Sequence, residues 1–239
     1  MINPLLAAFQ FLSIVPVRRA FSERDIARSL WFFPVVGLAI GALVSGLVAS
    51  IAGTPLLAAA IALVLWVMSS GGLHLDGLAD SADAWGAARG NPERALEVMK
   101  DPRCGPIAVV VVVIVLIVKF AALAAIVEGE QLFGIVLVPV IARTAVIALF
   151  LTTPYVSSNG LGHPYVDGLE RTPALIALAI TALLCTLFGG LILVVAAALA
   201  LAALRWLMIN QINGMTGDTI GGVIEVIEMV ALITLALTL

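Results

Sequence analysis

Long apolar runs broken by short polar stretches dominate the chain. Residues 31–52, 55–72, 107–127, 132–151 and 223–239 each read as an apolar helix near the length of about 20 residues needed to cross a bilayer. Residues 172–204 hold no charge between Arg171 and Arg205. As one helix, at about 1.5 Å per residue, they would reach roughly 50 Å against a hydrocarbon core of about 30 Å. Gly189-Gly190 is therefore expected to be the turn between two spans. The pattern predicts an all-α, polytopic integral membrane helical bundle of about seven transmembrane helices, with residues 1–239 as a single membrane-embedded domain. Residues 4–17 are apolar but too short to cross, and should lie at the interface or re-enter. Gly37, Gly41 and Ser45 place small residues every fourth position of the first span, which permits close helix contact.

Between the spans, residues 71–85 read GGLHLDGLADSADAW and carry Asp76, Asp80 and Asp83 at spacing i, i+4, i+7. On a helix, at about 100° per residue, these fall within about 40° of one another on one face. Residues 91–101 read as a polar helix, Pro102 and Pro106 bracket a turn, and residues 152–173 and 205–222 read as polar loops without regular structure. Ten of the twelve Lys and Arg fall in 18–28, 89–103, 171 and 205, which the predicted spans bring to one side. The opposite side receives Gly53-Thr54, the acidic link 128–131 and Gly189-Gly190, with no basic residue. By the positive-inside rule the polar loops then face the cytoplasm.

Composition narrows the class further. The chain is 62% hydrophobic and 11% charged, with a net charge of −3, so nothing suggests a nucleic-acid footprint. Cys104 and Cys185 lie in or beside apolar runs and imply neither a disulfide framework nor a zinc set. No positive n-region precedes the first apolar stretch, as a cleaved signal peptide would require.

Three aspartates stacked on one helix face repel, so a cation should sit against them. Mg²⁺, a hard ion bound through one or two carboxylates plus substrate phosphates, suits such a cluster. A second acidic set, Asp218, Glu225 and Glu228, lies in NGMTGDTIGGVIEVIE. Carboxylates inside a span should either bind a cation or pair with a base. Thr216-Gly217-Asp218 could form a backbone nest for phosphate oxygens. Asp101 with Lys100 and Arg103 forms a third polar knot, either functional or an ordinary membrane-flanking cluster. Arg143, mid-span, needs a phosphate or a carboxylate as partner, whereas Lys119 is expected to snorkel toward the far interface. His74 could be a base, a substrate hydrogen-bond donor or an interfacial side chain, and His163 sits in an exposed loop.

With GGLHLDGLADSADAW, LEVMKDPRCG and NGMTGDTIGGVIEVIE in that order, and FLSIVPV ahead of the first span, nearly the whole chain resembles the cobalamin synthases, the adenosylcobinamide-GDP ribazoletransferases. The resemblance implies a Mg²⁺-dependent enzyme of the bacterial cytoplasmic (inner) membrane with cytoplasmic active-site loops. It would join GDP-activated adenosylcobinamide to α-ribazole, or its 5′-phosphate, releasing GMP. It implies metal ligands among Asp76, Asp80, Asp83, Asp218, Glu225 and Glu228, and phosphate contacts from Lys100, Arg103, Arg143 and Thr216. Asp101 or His74 would take the ribazole hydroxyl proton. Partners are then the two small-molecule substrates and membrane lipid, with no nucleic acid; an oligomer of identical chains is compatible with this reading. Two other classes compete: a Mg-dependent CDP-alcohol or prenyl transferase, whose DGxxAR-type and DDxxD-type signatures are not met, and a cation or corrinoid transporter, whose acids should be spread through membrane depth rather than gathered at one face.

Overall fold

The computed structural model describes residues 2–51, 53–88, 90–157 and 160–238. Ala52, the expected end of the first span, and Arg89, one of the basic residues behind the orientation argument, lie outside them. The chain folds as a bundle of apolar helices. α1 (Ile2–Leu12), α2 (Glu23–Ser29) and a single 3₁₀ turn precede the first long helix, α3 (Phe33–Ala49). α4 (Pro55–Ser69), α5 (Leu73–Ala88), α6 (Pro92–Val98), α7 (Pro106–Glu128) and α8 (Leu132–Thr152) follow. α9 (His163–Asp167), α10 (Arg171–Gly189), α11 (Leu191–Ile212) and α12 (Gly217–Leu237) complete the chain. Among the described residues six helical stretches are long and apolar enough to cross a membrane, and α4 with α5, bent by 83° at their junction, brings the number to seven when the pair is taken as one span. The protein is an integral membrane protein. α5 turns off the end of α4 and begins past residues 55–72, the stretch the sequence predicts as the second span.

Local sequence explains most boundaries. Ser22 and Asn91 cap α2 and α6 by accepting backbone N–H bonds, and prolines open α4, α6 and α7. Gly190, at φ 84°, makes the expected turn between α10 and α11. Two expectations are corrected. Residues 152–173 are not wholly irregular, because His163–Asp167 forms α9 with a proline in its first turn. The loop expected over 205–222 shrinks to four residues: α11 runs on to Ile212, Asn213 closes it in the left-handed conformation at φ 60°, and α12 already starts at Gly217.

The expected small-residue stripe is the α3–α8 contact. A Cβ on Gly37 or Gly41 would fall 2.4 Å from the Pro139 carbonyl oxygen or 2.5 Å from that of Val136. One turn on, Ser45 Oγ donates to the Leu132 carbonyl at 2.9 Å. Backbones that approach this closely gain dispersion contact where lipid offers no hydrophobic drive. α8 is buried along most of its length, whereas α10 and α11 expose apolar faces such as Ile176, Leu187 and Leu199. α1 does not cross; it packs on α3, and Ile14 N donates to the Ser69 carbonyl at 2.9 Å where α4 ends.

The loop ends of the helices are tied together at one end of the bundle. Val156 N donates to Met215 O at 2.9 Å and Met215 N to Pro154 O at 2.8 Å, pinning the α8–α9 loop to the α11–α12 turn. Arg205 Nη2 donates to the Thr152 carbonyl at 2.7 Å, and Arg28 pairs with Glu170 at 2.8 Å.

Candidate active site

α5 and α12 bring the two acidic motifs together. The approach is set by glycine: a Cβ on Gly77 would fall 2.5 Å from the backbone oxygen of Asp218, and one on Gly221 3.3 Å from the backbone of His74. At this crossing Asp80 lies in the electrostatic field of Asp76, Asp218 and Asp83. Burial, then those neighbouring charges with Asp76 first, push its carboxyl up to about 6. Among the described residues neither Asp76, Asp80 nor Asp218 has an ion-pair partner. Asp76, His74 and Asp218 line a cavity of about 230 Å³ whose other wall comes from α1, the end of α8 and the α8–α9 loop. Asp76 also borders a second cleft of about 360 Å³ between α5 and α7, beside Cys104.

The other expected ligands have different work. Asp83 closes the N-terminus of α7: its Oδ1 accepts from Ala108 N at 2.9 Å and its Oδ2 from Gly105 N. Helix-start amides attract a carboxylate, so Asp83 is a cap rather than a free metal ligand. Glu225 and Glu228 lie deeper in α12. Lys119 Nζ, fully buried, donates to Glu225 Oε2 at 2.8 Å and Glu228 Oε2 at 2.6 Å, and Arg143 Nη1 donates to Glu228 Oε1. The expected metal at these glutamates is corrected to an ammonium and a guanidinium. Arg143, 1% exposed, thereby meets a carboxylate instead of a phosphate, and Lys119 does not snorkel. The signal for Lys119 was in the chain: two acids within one span need two bases, and Arg143 supplies one.

Thr216 is likewise committed. Its Oγ1 accepts from Thr219 N at 3.3 Å while Thr219 Oγ1 accepts from Thr216 N at 2.8 Å, a reciprocal cap that fixes the start of α12 next to Asp218. Asp101 and Arg103 pair with each other at 2.6 Å on an exposed loop. The Arg103 hydrogen bonds hold the Asp101 carboxyl down at about 2, too weak a base to accept a hydroxyl proton readily near neutrality. Lys100 is exposed with no ion-pair partner among the described residues. His163 Nε2 contacts the Ser157 carbonyl at 2.7 Å.

Asp76, Asp80 and Asp218 remain as the oxygens able to face a divalent ion. Among the described residues no three His, Cys, Asp or Glu side chains are grouped closely enough to hold a metal alone. A Mg²⁺ ion held here would need waters and phosphate oxygens beside these carboxylates. The cavity walls Phe11, Tyr155 and Ser157 escaped the sequence reading, since they come from segments with no acidic or basic signature.

Fold and site together define a polytopic membrane protein with an acidic cleft at one end of its bundle. The profile of the cobalamin-5-phosphate synthase family matches residues 4–236, and the chain belongs to that family. It is 48% identical to the adenosylcobinamide-GDP ribazoletransferases of Pseudomonas savastanoi pv. phaseolicola and Pseudomonas fluorescens, each over 98% of this chain and 99% of the relative. The enzyme of that name from Stutzerimonas stutzeri is 46% identical over 98% of both chains. No solved structure matches.

Proposed function

We propose that this chain is a Mg²⁺-dependent adenosylcobinamide-GDP ribazoletransferase of the bacterial inner membrane, working at its cytoplasmic face. A hydroxyl oxygen of α-ribazole, or of its 5′-phosphate, attacks the phosphorus carried by cobinamide. The new O–P bond forms as the bridging O–P bond to the guanosine phosphate breaks, and GMP leaves with the bridging oxygen. Phosphoryl transfer asks the protein chiefly to position reactants and neutralise charge. Bound Mg²⁺ would supply that neutralisation and polarise the phosphate oxygens.

The chain's own residues do the rest. Asp76, Asp80 and Asp218 would hold the cation, and the Thr216–Thr219 cap fixes the start of the helix bearing Asp218. His74, 3% exposed, lines the same cavity; burial and then the Arg143 charge hold its pKa down at about 3, so it stands there as a neutral hydrogen-bonding ring, and the hydroxyl proton passes to water. Lys100, exposed and without an ion-pair partner among the described residues, would be available to the diphosphate. The cytoplasmic orientation rests on the one-sided placement of Lys and Arg.

The observation that carries this reading is the close crossing of α5 and α12 at Gly77, which brings Asp76 and Asp218, far apart in sequence, to one cavity. Purified protein in bilayer discs, given adenosylcobinamide-GDP, α-ribazole and Mg²⁺, should release GMP and form cobalamin in equal amounts. Substrate binding or uptake without GMP release would refute it.

A further inference from the structure

We infer that the cavity of about 230 Å³ between α1, α5 and α12 is the subsite for the benzimidazole nucleoside, α-ribazole, and takes neither the corrin ring nor guanosine. The inference rests on the proposed transferase reading and divides its two substrates between places. Size decides first. Pockets that enclose drug-sized ligands run from about 300 to 1,000 Å³, so this smaller cavity excludes a macrocycle and has room for a flat bicyclic base.

Wall chemistry decides next. Away from Asp76 and Asp218, the lining is mostly apolar, with Phe11, Leu12, Phe150, Ile220 and Ile224, and its polar side chains are those of His74, Tyr155 and Ser157. Tyr155 Oη accepts from Gly162 N at 3.2 Å and keeps its own O–H to donate. Guanine offers two N–H groups and a carbonyl on one edge, and leaving these unpaired against apolar walls is costly. A dimethylbenzimidazole has no N–H and a single ring-nitrogen acceptor, and it gains from aromatic contact. His74, whose ring has no hydrogen-bond partner among the described residues, supplies an N–H able to meet that nitrogen.

The aromatic wall is built in advance. Phe11 stacks on Phe33 at 5.9 Å and meets Tyr165 at 5.4 Å, while Phe150 meets Tyr165 at 5.3 Å. Tyr165, 1% exposed, is held by Ser29 at 3.2 Å. A rigid aromatic surface loses little entropy on binding a flat ring. The acids lie at one end of this wall, where the ribose hydroxyls would meet the activated phosphate. Asp76 borders the second cleft as well.

The test combines α-ribazole binding to wild-type protein in bilayer discs, followed by benzimidazole fluorescence, with steady-state GMP release by wild type, Phe11→Ala and Leu161→Ala. Leu161 lines the same cavity but is 78% exposed, so its truncation leaves folding intact. Both variants should raise KM for α-ribazole, about 3- to 10-fold for Phe11→Ala, with KM for adenosylcobinamide-GDP within about twofold of wild type. GDP should not displace bound α-ribazole. If GMP is released but the variants raise KM for adenosylcobinamide-GDP, or change neither KM, the subsite assignment is wrong while the transferase reading stands. If α-ribazole binds without GDP competition yet no GMP appears, the transferase reading fails and the subsite survives. No binding at all overturns the assignment.

Discussion

Replacing Lys119 with methionine removes one charge from a buried quartet whose formal charges otherwise cancel: Lys119 and Arg143 against Glu225 and Glu228. The ammonium sits 2.8 Å from Glu225 and 2.6 Å from Glu228, with the Trp66 ring 5.3 Å from it on the far side. Without it, two carboxylates share one guanidinium in a setting where each glutamate is at most 3% exposed. Removing one partner of a buried pair typically costs about 3–5 kcal/mol, because the charge left behind is desolvated and uncompensated. At about 1.4 kcal/mol per decade, the folded-to-unfolded ratio should fall by two to three and a half orders of magnitude. The assay is reversible unfolding in mixed detergent micelles, with a double variant as control. Lys119→Met with Glu225→Gln restores neutrality, leaves Arg143 with Glu228, and should recover most of the loss. A single variant as stable as wild type, or a double variant no better than the single, would refute the quartet.

Other expectations follow from the same geometry. Gly77→Ala drives a methyl against the Asp218 backbone, which cannot give way as a flexible side chain could; stability should drop by about 1–3 kcal/mol and turnover should fall, and an unchanged kcat would contradict the close crossing. Asp83→Ala removes two acceptors from the start of α7 and should lower stability by about 1–3 kcal/mol without changing the number of divalent ions bound; loss of an ion would return Asp83 to the metal site. Asp80, raised to about 6, gives a pH signature. Its folded pKa exceeds its unfolded value, so the metal-free fold binds the extra proton between about 4 and 6 and loses stability as pH rises through that window. Divalent ions compete with that proton, so the apparent Mg²⁺ requirement should rise as pH falls below about 6, and a constant requirement from pH 5 to 7.5 would contradict it.

The bundle was legible because the bilayer imposes length and composition on each span. Apolar runs, the Gly189-Gly190 break and the Gly37–Gly41–Ser45 stripe could all be read along the chain. The acidic motifs were legible as candidates, but their division of labour was not. Spacing places Asp83 on the face of Asp76 and Asp80, yet it cannot reveal that the start of α7 arrives there and takes both its oxygens. In the same way Glu225 and Glu228 look like Asp218 on paper. Depth separates them: Asp218 opens α12 beside α5, and the glutamates lie farther down against α7 and α8. The aromatic cavity wall draws on α1, α8 and the loop after it, a convergence that exists only in three dimensions.

Mn²⁺ binding in bilayer discs, read by electron paramagnetic resonance, tests the joint acidic site most directly. Wild type should bind Mn²⁺ in a form that adenosylcobinamide-GDP tightens, and both Asp76→Asn and Asp218→Asn should abolish it, whereas Glu225→Gln combined with Lys119→Met should not. Retention of the ion by Asp218→Asn protein, with undiminished GMP release, would contradict the account.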